Sequence, residues 1–409
     1  MKIKIGVIYG GESVEHEVSI ITAVQAMNKM NQDKYEIVPI YITKEREWYT
    51  GGMLRDIEVY EDLSLIKKYA TNVVLYSKKG GFVLQKKGLF RQIVNNIDIA
   101  FPIVHGTNVE DGTLQGYLQT IGIPYVGSDV YASVVGQDKV YMKNIFAAND
   151  LPMPKFMWLY DVDYKRDTEG ILDRAKKLKY PLIVKPATTG SSVGIGFVNN
   201  EDELKKAIEE AMEYDNKIII EEVVKNLKEL NISVLGNYET QKISAIEEVF
   251  SSSKFLTYAE KYIGKGKIKG SKGLKGFKMP MKASKGMLSA SRQVPADLPS
   301  KLEKEIETMA ITAFKALGTS GTCRIDFLYD EKKEKLYINE MNSIPGSLAF
   351  YLWESKNIDY TDLLDEMITV GVKDFRIRNS KTRTFETNIL KGFTTNGIKG
   401  SKGSKTKLR

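Results

Sequence analysis

At 409 residues, with 42% hydrophobic and 27% charged side chains, the chain has the composition of a globular protein of two or three domains, which excludes the fibrous and disordered classes. No apolar run approaches the roughly 18–20 residues needed to cross a bilayer, and a single cysteine, Cys323, excludes an internal disulfide or a cysteine-rich zinc site. The formal charge of +8 would suit a polyanion partner if it were spread over the surface. It is not: residues 261–296 hold nine lysines, Arg292 and no acid, and residues 391–409 hold five lysines, Arg409 and no acid. The rest of the chain carries −8. An acidic body with two basic segments argues against nucleic acid or a membrane as partner. Cysteine usage, and a start (MKIKIGVIYGG) that reads as a strand instead of a leader, point to the cytoplasm.

In chain order, KIKIGVIYGG (2–11) reads as a buried strand entering a glycine turn, and residues 18–30 as an amphipathic helix. YEIVPIYI (35–42) and IDIAFPIV (97–104) have the continuous apolar character of parallel strands. Helical patterns follow near 111–121 and 137–149, so the first part reads as a doubly wound parallel α/β layer. It is interrupted by residues 48–95, where only a hairpin over 72–87, turning at Gly80-Gly81, is legible. Short strands at 181–185, 194–198, 217–224 and 231–236, with a helix near 201–213, indicate an α+β module. A helix (300–317), a strand pair (323–330 and 335–342) and a last helix over about 360–371 complete the pattern, and GIKGSKGSKTKLR reads as a disordered end.

Three features carry chemistry. Arg324 and Asp326 alternate on one strand, Glu340 and Asn342 on the next, so a hairpin would gather all four on one face. Two carboxylates and an amide oxygen suit Mg²⁺, although a solvated polar hairpin face reads the same way. Asn342 leads into SIPGS, a turn whose amides suit an oxyanion. VKPATTGSSVGIG (184–196) is a strand, a Gly/Ser loop and a strand, with Lys185 available to a phosphate; it matches neither a P-loop nor a dinucleotide fingerprint, and a plain connecting loop suits it equally. The only two histidines, His16 and His105, follow candidate parallel strands, where open α/β sheets bind ligands, making Glu15 and His105 candidates for one site. A structural role for each histidine is the competing reading.

EHEVS (15–19), HGxxxEDGxxQG (105–116), KPxxxGSSVGI (185–195), EKY (260–262), RIDF (324–327) and NExNxxPG (339–346) occur in the order typical of D-alanine–D-alanine ligases. The chain resembles that family of ATP-grasp carboxylate–amine ligases over most of residues 3–372, excluding about 48–95 and 263–293. The resemblance implies an ATP-grasp α/β fold: an N-terminal parallel-sheet substrate domain (1–127), then central (128–223) and C-terminal (224–377) α+β domains. A basic lid insertion near 263–293 and a flexible tail (378–409) would be added to these. It implies ATP-dependent joining of two D-alanines through D-alanyl phosphate for peptidoglycan precursor synthesis, and a homodimer. D-Serine or D-lactate is the alternative acceptor.

By the same resemblance, Asp326, Glu340 and Asn342 hold two Mg²⁺, or Mn²⁺ in their place. Lys139, Lys185 and Lys261 contact ATP phosphates, with Ser191 and Ser192 in the loop beside them. Glu229 binds the ribose, Val224 lies at the hinge, and either Glu221 or Glu222 is near the adenine amino group. Glu15 anchors the first ammonium and His105 neighbours its carboxylate, while Ser191 and Tyr262 link Glu15 to the closing loop. Arg324 and the Gly346 amide form the oxyanion and acceptor-carboxylate site. Two departures stand out. Val109 replaces a frequent glycine, and Tyr351, followed by Leu352, stands where many relatives have an acceptor-binding serine, leaving Tyr351 or Ser347 to serve. Tyr262 favours an amine acceptor. The loop after Tyr262 exceeds the usual closing loop by roughly twenty residues, most of whose lysines read as solvated surface.

Overall fold

The computed structural model describes residues 2–89, 91–250 and 291–386. Lys261, Tyr262, the 263–293 insertion up to residue 290 and the tail from 387 lie outside the described residues. Three sheets follow one another along the chain.

Continuous apolar runs bury both faces and so form the parallel centre of the first sheet. β1 (Ile3–Gly10) pairs with β2 (Tyr35–Ile42) along its whole length, the helix α1 (His16–Lys29) crossing between them. The chain then adds β3 (Trp48–Thr50), the helix α2 (Leu63–Tyr69), β4 (Thr71–Lys78), β5 (Gly81–Lys86) and β6 (Ile93–Ile97) before β7 (Ile99–Pro102) returns parallel to β1. The order is β6-β5-β4-β3-β2-β1-β7, so the parallel layer is extended by four antiparallel strands. The 72–87 hairpin forms, but it turns at Lys79-Gly80, both at positive φ (50° and 79°), one residue earlier than the sequence indicates. The helix α3 (Thr113–Ile121) follows.

The patterned helix at 137–149 is the second of two, α4 (Val130–Gln137) and α5 (Lys139–Ala148), separated by Asp138. The Asp138 carboxylate accepts from the Val140 and Tyr141 amides, capping α5 and ending α4 at once. The second sheet takes β8 (Phe156–Tyr160), two short helices, α6 (Asp161–Arg166) and α7 (Thr168–Lys176), then β9 (Leu182–Pro186), β10 (Gly196–Val198), α8 (Glu201–Ala211) and β11 (Lys217–Glu222). Its order is β10-β9-β11-β8, and every pair is antiparallel.

The third sheet, β14-β13-β12-β15-β16, is built from β12 (Leu227–Gly236), β13 (Gln241–Phe250), β14 (Ser291–Gln293), β15 (Gly321–Asp330) and β16 (Lys335–Asn342). Leu230, Ile232, Cys323, Ile325 and Phe327 are buried on one face in a core shared with the helix α9 (Ser300–Ala316). The final helix α10 (Tyr360–Asn379) runs eight residues beyond the apolar pattern because polar contacts hold its end. Asp374 accepts from Asn237 Nδ2 at 2.7 Å and from Ser320, and Arg378 donates to the Tyr125 hydroxyl at 3.2 Å.

A single apolar cluster joins the first sheet and α1 to α10 and the turn at 346–352. Trp353 is fully buried in it and donates its indole N–H to Ser233 Oγ at 3.2 Å, reaching into the third sheet. Trp353→Ala is expected to cost about 3–5 kcal/mol in denaturant-induced unfolding; a loss under about 1 kcal/mol would contradict this shared core.

Candidate active site

The register of β15 with β16 sets Arg324 opposite Asn342 and Asp326 opposite Glu340. On the other side of β15, Asn231 of β12 pairs with Asp326, and Asn231 pairs in turn with Glu247 of β13. Strand alternation therefore lays these side chains along one face of the third sheet, opposite its apolar face. Arg324 grips Asp326 as a fork, Nε to Oδ1 at 2.6 Å and Nη2 to Oδ2 at 2.7 Å, and Asn342 Nδ2 donates to the same Oδ2 at 3.3 Å. The residue expected to bind an oxyanion and one expected to bind metal are thus paired with each other.

The opposing wall is the Gly/Ser loop after β9. Gln137 and Lys139 fix it by donating to the Thr188 and Thr189 carbonyls at 2.6 and 2.7 Å. Ser191 and Ser192 both take left-handed backbone (φ 53° and 61°), sparsely populated for non-glycine residues. In that turn the Ser191 hydroxyl donates to the Glu15 carboxylate. A side chain at Gly190 would meet Glu15 Oε2 at 2.3 Å, and one at Gly106 at 2.9 Å, so two glycines let the backbone close around this carboxylate.

Behind the loop is a buried charge cluster. Lys185 donates to Glu221 Oε2 at 2.6 Å, and Lys143 Nζ lies 2.8 Å from Oε1, close enough to pair though not aligned as a hydrogen bond. Burial alone would raise the Glu221 pKa; Lys143 and Lys185 outweigh it and hold it at about 2. Burial likewise opposes the Lys185 charge, but Glu221 and Glu340 overcome it and raise its pKa. Lys139 goes the other way: burial lowers its pKa, and Glu340 only partly compensates. Glu222 points to the opposite face of β11, where it accepts from the Lys179 amide at 3.3 Å. Val224 lies in the link between β11 and β12, and Glu229 is half-buried on β12.

His105 is buried against Thr22 (Nε2 to Oγ1, 3.2 Å), and burial lowers its pKa to about 4, leaving it uncharged at neutral pH. His16 has a structural place: its Nδ1 donates to the Gly11 carbonyl at 2.6 Å and its Nε2 accepts from the Tyr41 hydroxyl at 2.9 Å. Glu110 was not singled out from the sequence, although it lies within the quoted HGxxxEDGxxQG motif. Its carboxylate accepts from the Gly106 amide (2.9 Å), the Ser343 hydroxyl (3.0 Å) and the Ile344 amide (3.1 Å), joining the first-sheet loop to the turn after β16. Burial, then the nearby Glu15 charge, push its pKa up to about 8.

The turn begins at Gly346 and passes Ser347, Leu348 and Ala349 in left-handed backbone (φ 52°, 53° and 50°). Ser347 donates its amide to Thr22 Oγ1 (3.1 Å) and its hydroxyl to Gln25 Oε1 (2.8 Å). Tyr351 donates its hydroxyl to Glu247 Oε1 (2.9 Å), and Leu352 is fully buried. Both hydroxyls considered as stand-ins for the missing serine are therefore engaged with protein groups. Val109, the other departure, is buried against Gly11. One cleft brings together Glu15, His105, Lys139, Ser191, Ser192, Arg324, Glu340, Asn342 and Gly346.

A Gly/Ser loop and buried lysines on one α+β module, facing a carboxylate-bearing hairpin on the next, form the architecture of an ATP-grasp ligase. Family models described as the D-ala D-ala ligase N-terminus and C-terminus match residues 4–128, and 145–275 with 275–369. The D-alanine–D-alanine ligase of Thermosipho melanesiensis is 36% identical over 390 residues, 95% of this chain and 98% of that protein. Among solved structures, the D-alanine–D-alanine ligase of Coxiella burnetii aligns with TM-score 0.74 at 28% identity, covering 93% of this chain and 96% of that one. The VanG D-Ala:D-Ser ligase of Enterococcus faecalis aligns with TM-score 0.72 at 30% identity, covering 91% and 100%. The chain belongs to the D-alanine–D-alanine ligase family.

Removing one cation from the buried cluster leaves Glu221 undercompensated. Lys143→Met is expected to lower unfolding free energy by about 3–5 kcal/mol at pH 7. Glu221 loses stabilisation of its charge in the variant, so its folded-state pKa rises and the deficit narrows as pH falls and the carboxyl protonates. Unfolding titrations carried from pH 7 to about pH 3, into the range between the unfolded carboxyl value and the lowered one of Glu221, check this, and a deficit that does not narrow on acidification would count against it.

Proposed function

We propose that the cleft joins two D-alanines at the expense of ATP, in three units spanning 1–127, 128–223 and 224–377. Family membership supports the reaction, and the contact between Ser191 and Glu15 is the observation that carries the assignment of roles. It ties the loop beside the phosphate-binding lysines to the carboxylate that receives the first D-alanine's ammonium. ATP phosphorylates that amino acid's carboxylate, giving D-alanyl phosphate and ADP. The second amine then attacks the acyl carbon and phosphate leaves. Lys139 and Lys185 offer positive charge to the phosphates, and Ser192 and neighbouring amides line their path. Glu221, paired with Lys143 and Lys185, keeps Lys185 oriented; Glu221 or Glu222 serves the adenine edge with Val224, and Glu229 the ribose. His105, uncharged, places a polar edge beside the donor carboxylate without attracting it as a cation. Arg324 and the Gly346 amide meet the oxyanion and the acceptor carboxylate.

Asp326 and Glu340 face each other across two paired strands with Asn342 beside them, a hard-oxygen set that suits two Mg²⁺, or Mn²⁺. Such ions, when bound, supply positive charge at the transferring phosphoryl group. Among the described residues no group of three His, Cys, Asp or Glu offers a metal site, and the set proposed here takes the Asn342 amide oxygen as its third donor. No helix among the described residues is long and apolar enough to cross a membrane.

ADP release from ATP is expected to require both D-alanine and Mg²⁺; a panel of D-alanine, D-serine, D-lactate and L-amino acids with no stimulation of ADP release would sink the reading. Tyr351 in place of serine and the likeness to a D-Ala:D-Ser ligase make D-serine the second acceptor to try, and product mass separates the dipeptides. Glu340→Gln is expected to fold normally yet lose on the order of 100-fold or more in turnover, and near-normal activity would refute its metal role. The family resemblance is also what supports a homodimer, for which light scattering should give about twice the 46.1 kDa chain mass.

A further inference from the structure

The polar face of the third sheet does not stop at the metal-binding carboxylates. It continues through Asn231 to Glu247, a carboxylate only 1% exposed that no step of the ligase reading uses. Burying a carboxylate without compensation is costly, so its partners are informative. Glu247 Oε1 accepts from Asn231 Nδ2 at 2.9 Å and from the Tyr351 hydroxyl at 2.9 Å. Its Oε2 lies 3.5 Å from Arg292 Nη1, and the Arg292 guanidinium sits over the Tyr351 ring at 4.7 Å. Asn231 lies opposite Asp326, the carboxylate that Arg324 grips, so this group shares the sheet face of the oxyanion arginine.

Tyr351 is consequently held from three sides: its hydroxyl by Glu247, its ring by Arg292, and its backbone by the left-handed turn tied to α1 through Thr22 and Gln25. Its only O–H proton is committed to Glu247. It cannot at the same time donate to a substrate carboxylate, as a serine at this position would.

We propose that Glu247 is a positioning residue for the acceptor half-site: it fixes Tyr351 as a rigid wall and leaves recognition of the acceptor's carboxylate to the Arg324 guanidinium. The inference rests on the ligase reading above and deepens it. The acceptor is then a small D-amino acid whose free carboxylate meets an arginine, with the tyrosine ring limiting the space around it. Loosening Tyr351 disturbs acceptor binding and leaves donor and nucleotide binding in place, because Glu15, Lys139 and Lys185 lie on other elements.

The test is steady-state kinetics of the full chain with ATP and D-alanine, resolving the separate KM values of the donor and acceptor D-alanines. Glu247→Ala and Tyr351→Phe are both expected to raise the acceptor KM about tenfold, with donor and ATP KM values changed by less than about twofold. Glu247→Gln keeps an acceptor oxygen for the tyrosine hydroxyl and is expected to restore most of the acceptor affinity. Tyr351→Phe removes a single oxygen and keeps the assay informative if Glu247→Ala does not fold. Unchanged acceptor KM values, or equal changes in all three constants, would overturn the proposal. A wild-type chain that shows no D-alanine-dependent ADP release removes the ligase reading and this inference together; an active wild type with no selective acceptor effect removes only the role of Glu247.

Discussion

The register of β12, β13, β15 and β16 is the constraint on which the site depends. Each strand sends alternate side chains to opposite faces, so the pairing that buries Ile232, Ile325 and Phe327 against α9 also gathers Arg324, Asp326, Glu340, Asn231 and Glu247 on the other face. A slip of one residue would drive the charges into the core and the apolar residues into the cleft. The hydrophobic effect that stabilises this sheet is therefore also what aligns its chemistry. No further device is needed to bring the two carboxylates of β15 and β16 face to face.

The cleft concentrates opposite charges where water is scarce, and it resolves them by pairing. Glu221 stabilises two lysines, Arg324 holds Asp326, and Glu247 is enclosed by amide, phenol and guanidinium groups. Glu110 and His105 follow the other route open to buried titratable groups, shifting toward their neutral forms. Both routes keep net charge out of the buried interior, by pairing in one case and by a shift toward the neutral form in the other. The net charge of +8 comes from the two basic segments, 261–296 and 391–409, and not from these internal, balanced groups.

Much of this was legible in the sequence wherever one physical signal dominated. Continuous apolar runs marked β1 and β2 because both faces of a parallel strand are covered, and alternation in RIDF and NEMN placed four polar side chains on one hairpin face. Within residues 48–95 only the 72–87 hairpin was legible: β3 is three residues long, α2 seven, and the flanking turns are 3₁₀, all too short to show a period. The division between α4 and α5 depends on one capping carboxylate, Asp138, inside a pattern that otherwise reads through. The length of α10 depends on contacts from Asn237, Ser320 and Tyr125, each far away in the chain. The neighbouring glutamates 221 and 222 were indistinguishable by motif and are separated by alternation, which sends one to buried lysines and the other toward Lys179. Glu110 and Glu247 were missed because their partners come from other parts of the chain. Nothing local to either residue announces a buried carboxylate.

The hydrogen bond from Ser191 to Glu15 spans 176 positions of sequence and joins helix α1 to the loop between β9 and β10. Under the proposed roles it makes the two substrate regions share one free energy. A nucleotide that favours the loop conformation presenting Ser191 also favours the arrangement presenting Glu15, and an amino acid that favours Glu15 in that arrangement repays the nucleotide by the same factor. Synergy between the two ligands would then need no moving wire between distant sites, since a single hydroxyl lies at the boundary and both ligands bias its one bond.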